Sequence, residues 1–329
     1  MASSTPVASG SESRPVASGG TSAFWRIWSR FGILLILLVF AIGLALLTDR
    51  FLTEQNLLNL FRQSSFLAII SIGLLVVIIT GNVDLTVGAF MGFSGALLAR
   101  WAIDLGFLPA VLLVAVVALG YGLLNGFLAT RGKGLSVIVT LAMFTILQGA
   151  TLLYTDGRPI SGFPDAMREI GRGYLGPIPI PVIVAVAVAI VVHIVLRYTT
   201  LGRQLFAIGG NDEAARLSGI PVKWKTINAY VISALCAAIA GLVLTARVSS
   251  AQPTAGIGDE FAAVGAVLIG GASLSGGAGS VIGTIAGVLI LGMISNGLNL
   301  LQVNPFYQYI IKGLIILFAI MMDQWGRRR

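Results

Sequence analysis

A chain of 329 residues that is 57% hydrophobic and only 10% charged, with a mean hydropathy of +0.95, cannot cover its apolar surface in water. A soluble domain is therefore excluded, and the surrounding medium must be lipid. The net charge of +8 and a pI near 10.1 would suggest a nucleic-acid ligand in a soluble protein, but here the positions of the basic residues decide what they mean. The single cysteine, Cys236, rules out an internal disulfide and a cysteine-rich metal site, and His193 lies in an apolar run where packing is its ordinary role.

Residues 1–23 are rich in Ser, Gly, Ala and Pro and carry "PVASG" twice, so a disordered tail is expected. A cleavable secretory signal is not expected, because no small-x-small site follows Leu47. A membrane crossing takes about 20 apolar residues, fewer where a helix is broken and supported by neighbours. Ten intervals qualify: 32–47, 64–81, 85–100, 107–129, 135–154, 179–197, 226–246, 260–274, 280–300 and 306–322. The fold class is thus all-α polytopic, with about ten transmembrane helices, some broken or half-length, in one domain over 24–325 and a basic end at 326–329.

An even number of crossings puts both termini on one side. With the termini inside, thirteen basic residues are cytoplasmic: Arg14, Arg26, Arg30, Arg131, Lys133, Arg197, Arg203, Arg216, Lys223, Lys225, Arg327, Arg328 and Arg329. Seven fall outside, so the positive-inside rule favours this orientation and explains the pI without nucleic acid. The segment 155–178 is then external and 198–225 cytoplasmic.

Within "GNVDLTVGA" (81–89), Asp84 lies between two apolar runs, where a carboxylate is expensive and must face partners or a cavity. It could cap the helix that follows, form part of a gate with Asn82 and Thr86, or bind solute. Asn296 and Asn299 share a helical face, which suits either a polar path lining or hydrogen bonds between helices. Small residues at four-residue spacing, Gly88/Gly92, Gly122/Gly126 and Gly279/Gly283/Gly287, predict close helix packing, within the subunit rather than between copies. The external segment interleaves Asp156, Arg158, Asp165, Arg168, Glu169 and Arg172. That is either a solvated loop with its own weak ion pairs or a charged docking rim. "GPIPIP" (176–181) predicts a rigid start to the next helix. Lys312 either snorkels or pairs with a carboxylate.

The cytoplasmic island "TTLGRQLFAIGGNDEAARLSGIPVKWKT" (199–226) holds six charges. Asn211 is a good N-cap, Asp212 and Glu213 suit the first turn, Arg216 suits the last, and Gly219 with Pro221 ends the helix. The expected product is about two turns with Ala214, Leu217 and Ile220 on its apolar side, too short to stand alone in water. It is either a capped connector or a helix that fits a cytoplasmic partner. The chain lacks G-x-x-x-x-G-K-[ST], and the Gly-rich stretch at 270–280 has no lysine, so any ATP-driven engine is a separate polypeptide.

From about residue 50 to 325 the sequence resembles the ribose-type ABC permeases, membrane subunits of bacterial monosaccharide importers. The resemblance rests on "GNDEAARLSGI" (210–220), "ARVSSAQPTAGIGDEFAAVGAVLIGGASLSGG" (246–277), "NGLNLL" (296–301) and "GNVDLTVGA". Departures are Asn82 and Val83 before Asp84, Thr86 in place of the usual Ser, and Ala278 where a basic residue is common. The resemblance implies the ABC importer permease fold and a homodimer in the bacterial inner membrane. It also implies a cytoplasmic ATP-binding subunit with two fused nucleotide-binding domains, which binds ATP and Mg, and a periplasmic sugar-binding protein. This chain would hold no cofactor or metal and break no bond. Gly210, Asn211, Asp212, Glu213, Ala214, Arg216, Leu217 and Gly219 would form the coupling helix to the ATPase. An ion-gradient carrier using Asp84, and an ABC permease for a nucleoside or branched-chain amino acid, are the competing readings.

Overall fold

The computed structural model describes residues 35, 37–132 and 134–326. The tail at 1–23, Lys133 and the basic end at 327–329 lie outside the described residues. The described chain is mostly helical: α1 (Leu37–Leu47), α2 (Glu54–Ile79), α3 (Val87–Leu105), α4 (Phe107–Ala129), α5 (Ser136–Thr155), α6 (Asp165–Arg172), α7 (Ile180–Tyr198) and α8 (Thr200–Gly210). They are followed by α9 (Asp212–Leu217), α10 (Val222–Val248), α11 (Asp259–Ile269), α12 (Val281–Leu300) and α13 (Pro305–Gly326). A short antiparallel hairpin, β1 (Tyr174–Leu175) and β2 (Ile178–Pro179), pairs Tyr174 with Pro179 and Leu175 with Ile178.

Each of the ten apolar intervals overlaps a helix among the described residues, the first from residue 37 onward and the eighth as far as Ile269. Six of them, α2, α4, α5, α7, α10 and α12, are long and apolar enough to cross a membrane by length and composition. The apolarity of α3 is diluted by Arg100 and Asp104, which pair at 3.2 Å near its end, and α11 has only 11 residues. α1 and α13 are short apolar segments among the described residues. The chain is a multi-pass membrane protein.

α10 is the hub, packed against α2, α3, α4 and α6. Small residues permit this. A Cβ at Gly122 would fall 2.6 Å from Val231 Cα, and one at Gly73 2.7 Å from Cys236 Cβ. Gly126 meets α10 as well, Gly88 and Gly92 meet the backbone of 255–256, and Gly283 and Gly287 meet α11. The spaced glycines therefore serve contacts within one chain, as their pattern predicted.

The segment 155–178 is more built than a solvated loop. Phe163 and Met167 are buried, and Gly171 sits on the backbone of Ala246 and Arg247 at the end of α10. Ile160 and Ala251 exchange backbone hydrogen bonds of 3.0 and 2.8 Å. Arg62 on α2 donates to the Tyr174 hydroxyl and stacks its guanidinium 4.8 Å from that ring's centre. Pro179 and Pro181 frame the start of α7, as "GPIPIP" predicted.

At the opposite end of α2 three segments meet backbone to backbone. Gly277 N donates to Ile79 O at 2.9 Å, and Gly276 lies against Gly81 and Gly209. A Cβ on Gly209 would overlap the Ile79 carbonyl oxygen and Gly277 N, whereas one on the adjacent Gly210 would meet nothing within 4 Å. Gly209→Ala is expected to destabilise the protein by about 1–3 kcal/mol through overpacking. Gly210→Ala should leave stability unchanged, and thermal unfolding of the two variants in detergent makes the comparison.

Candidate functional site

Three groups of sequence-predicted residues can be placed. The first surrounds α9. Asn211 caps the helix as predicted: its Oδ1 accepts from Glu213 N at 3.1 Å and Ala214 N at 3.0 Å. Gly219 takes a left-handed φ of 82°, and Ile220 N closes back onto Ala215 O at 3.1 Å. Arg216 pairs with Glu213 at 3.1 Å along the outer surface.

The apolar side predicted for α9 is not the side that packs on this chain. Ala215 is the residue packed against the protein, while Ala214 is exposed and Leu217 is 77% exposed. The stub is anchored by one small residue and by its caps, which leaves its larger apolar side chain facing outward. A cavity of about 830 Å³ lies beside it, lined by Thr80, Gly81, Asn82, Thr130, Arg131, Gly210, Asn211, Asp212, Glu213, Arg216, Lys223 and Ser275 among others. Asn82, predicted as a gate residue, and most of the predicted coupling residues thus border the same space.

The second group is centred on Asp84, which is 2% exposed. Its Oδ1 accepts from Thr86 N at 3.0 Å, Thr86 Oγ1 at 2.6 Å and Asn125 Nδ2 at 3.3 Å; its Oδ2 accepts from Ser233 Oγ at 2.9 Å. Tyr230 Oη donates to Val83 O at 3.2 Å. α3 begins at Val87, two residues later than expected, so Asp84 is not the boundary residue itself. Its carboxylate holds the boundary residue, Thr86, and ties this turn to α4 and α10. Asn82 closes the preceding turn by donating to Thr80 Oγ1 at 3.1 Å.

Asn296 and Asn299 lie elsewhere. Asn296 and Asn56 exchange amide hydrogen bonds of 2.8 and 3.0 Å, and Asn299 accepts from Gln308 at 2.9 Å. Asn56 is in the first turn of α2 and Asp84 follows its last. The helical rise puts Asn56 about 34 Å from Ile79, the end of α2 that leads into the Asp84 turn. These amides fasten α12 to α2 and α13, the second of the two roles their spacing allowed.

The third group sits on the platform at the α6 end. Asp165 and Arg168 pair at 2.9 Å, and Arg172 Nε donates to Arg247 O at 3.2 Å. Asp156 ends α5 in a left-handed conformation, and Arg158 and Glu169 are exposed. Lys312 lies on α13, which packs against α11, the helix that carries Asp259.

Asn125, Ser233 and Glu260 were not singled out by sequence reasoning. For the first two the available signal was a polar side chain within an apolar run. Glu260 is 2% exposed, lies against Gly88, and accepts from Gly258 N at 3.1 Å with both oxygens, closing the start of α11 on itself. The blocks at 81–89 and 246–277, far apart in sequence, are thereby brought into contact through Gly88 and Gly256, and Gly92 one turn further on meets Ala255.

Interrupted helices packed through glycines, beside a capped, outward-facing stub, describe a multi-pass membrane protein whose class the comparisons with known proteins supply. The family model described as "Branched-chain amino acid transport system / permease component" matches residues 56–320. The ribose import permease of Bacillus subtilis is 42% identical over 92% of this chain and 94% of its own length. The ribose import permease of Escherichia coli is 40% identical over 88% and 92%, and that organism's L-arabinose transport system permease is 35% identical over 93% and 94%. No solved structure matches. The chain belongs to the ribose-type ABC permease family.

Removing one donor to a buried carboxylate costs about 1.5–3 kcal/mol. Ser233→Ala should lower stability by that amount. Asp84→Asn, which turns an amide against the Ser233 and Thr86 donors, should lower stability or ATPase coupling and leave solute preference unchanged. Unfolding in detergent and competition uptake measure the two effects; a changed preference with normal expression and ATPase would place Asp84 on the path.

Proposed function

We infer that this chain is the membrane-spanning permease subunit of a binding-protein-dependent, ATP-driven importer for a monosaccharide, ribose or a similar pentose or hexose. The observation that carries this reading is the similarity over about nine-tenths of the chain to permeases named for ribose and L-arabinose. Two copies form the path at their interface, in the bacterial inner membrane, with ten crossings and both termini cytoplasmic. A periplasmic binding protein delivers the sugar to the platform around Asp156, Arg158, Asp165, Arg168, Glu169 and Arg172. Its approach is steered by complementary charge.

On the cytoplasmic side, an ATP-binding subunit with two fused nucleotide-binding domains holds ATP and Mg and performs the hydrolysis. α9 is the piece it grips. The support for this is physical: a six-residue helix is unstable alone, yet this one is capped at both ends and presents Leu217 to the outside. A partner's cleft supplies the missing burial. Movement of α9 passes to α8, because Asn211 N donates to Ala207 O and Gly209 is seated on Ile79. It then reaches the 80–86 turn and Asp84. The family description names branched-chain amino acids, a second reading that the sugar-permease relatives make the weaker one.

Reversing both acids, Asp212→Lys with Glu213→Lys, removes the first-turn charges that favour the helix and the Arg216 pair. Binding-protein-stimulated ATPase of the reconstituted complex should be lost while membrane insertion stays normal. Unaltered uptake in that double variant would refute coupling through α9 and favour an ion-gradient carrier.

A further inference from the structure

The crossing that contains α11 is only half helix. Eleven residues rise about 16 Å, roughly half of a hydrocarbon core about 30 Å thick. At its C-terminal end the chain turns through Gly270 and Gly271 and reaches the Ile79–Gly277 contact at the α9 end. On the other side, Ala251 pairs with Ile160 on the platform at the α6 end. The remaining depth is therefore covered by residues 252–258 as irregular backbone.

Irregular backbone does not face lipid within the hydrocarbon region; it is buried in protein or lines a water-filled cavity. One side of this segment is buried, because Gly88 and Gly92 lie against the carbonyls of Gly256 and Ala255. The other side is open: Gln252, Thr254, Ile257 and Gly258 are exposed, and Phe261 in the first turn of α11 is 51% exposed. Asp259 beside them is part-exposed. The carboxylate of Asp84, by contrast, is buried and occupied by its four donors.

We propose that the open side of 252–261 is the solute-contacting wall of the path, with Gln252 and Thr254 exchanging hydrogen bonds with sugar hydroxyls and Phe261 covering a C–H face of the ring. An apolar surface carrying a few placed polar groups is the chemistry that orients a small polar ligand. Weak contacts suit a path, since a solute held tightly there would not leave. This inference rests on the reading of the chain as a sugar permease.

The test uses the full complex, with its ATPase and binding protein, in proteoliposomes. The chain's one cysteine, Cys236, is buried and is replaced by Ala. Gln252→Cys and Thr254→Cys are then labelled with a charged, water-soluble thiol reagent, and Val116→Cys on the outer face of α4 serves as the lipid-facing control. Labelling of 252 and 254 but not 116 is expected. In uptake, Gln252→Leu and Thr254→Val should each raise KM for the transported sugar about fivefold, the equivalent of one hydrogen bond, while stimulated ATPase persists. If both cysteines are as inert as Val116→Cys and both variants keep their KM, the wall is elsewhere and the permease reading stands. If the unsubstituted complex moves no sugar with ATP, the permease reading fails, and labelling alone then decides whether water reaches the segment.

Discussion

Inside lipid, every interruption of a helix must be repaired by protein, because no water is present to satisfy the freed N–H and C=O groups. The architecture follows from that constraint at three breaks. After α2, Ile79 O receives Gly277 N from a distant loop. Before α3, the Asp84 carboxylate receives Thr86 N and recruits side chains from α4 and α10. Before α11, Glu260 turns back to Gly258 N. A different device closes each break, and the second and third lie side by side, where Gly88 meets Gly256 and Glu260.

The first break gives α9 a mechanical route into the protein. A helix stub attached by a flexible linker would move without consequence. Here the residue two positions before Asn211 is Gly209, whose Cα sits on the carbonyl of Ile79 with no space for a side chain. Displacing α9 must displace the end of α2, the 275–277 loop, or both. The first leads within five residues to Asp84; the second leads through Gly270 and Gly283 to the contact of α11 with α12. Because packed interiors resist gradual deformation, such a junction favours a small number of discrete arrangements.

Features governed by local rules were legible in the sequence. The Asn211 cap, the Gly219 stop and the proline-framed start of α7 each depend on residues a few positions apart. Ten helical intervals were visible for the same reason, although their boundaries shifted; α2 begins ten residues before its most apolar part, because Glu54 and Arg62 conceal an amphipathic turn. Partnerships across the chain were not legible. Asn56 and Asn296 are 240 positions apart, and no local pattern says that two amides will meet. Which side of α9 would face this chain was open in the sequence, because apolar spacing identifies a stripe on a six-residue helix but not what lies beneath it.

The polar groups of the membrane interior separate into two kinds, and burial distinguishes them. Asp84, Thr86, Asn125, Ser233 and Glu260 are buried and directed at protein donors or acceptors, so their chemistry is spent on holding helices together. Gln252 and Thr254 are exposed on backbone that cannot face lipid. The first kind dominates a reading of the sequence, because a carboxylate among apolar residues is conspicuous there. The second is easily passed over, since an amide and a hydroxyl beside a proline look like an ordinary surface turn. Conspicuous cost marks where the fold must be secured, whereas a solute in transit needs groups that are accessible and bind weakly. In this protein those two requirements fall on neighbouring segments that share a backbone contact at Gly88 and Gly256, so that securing one positions the other.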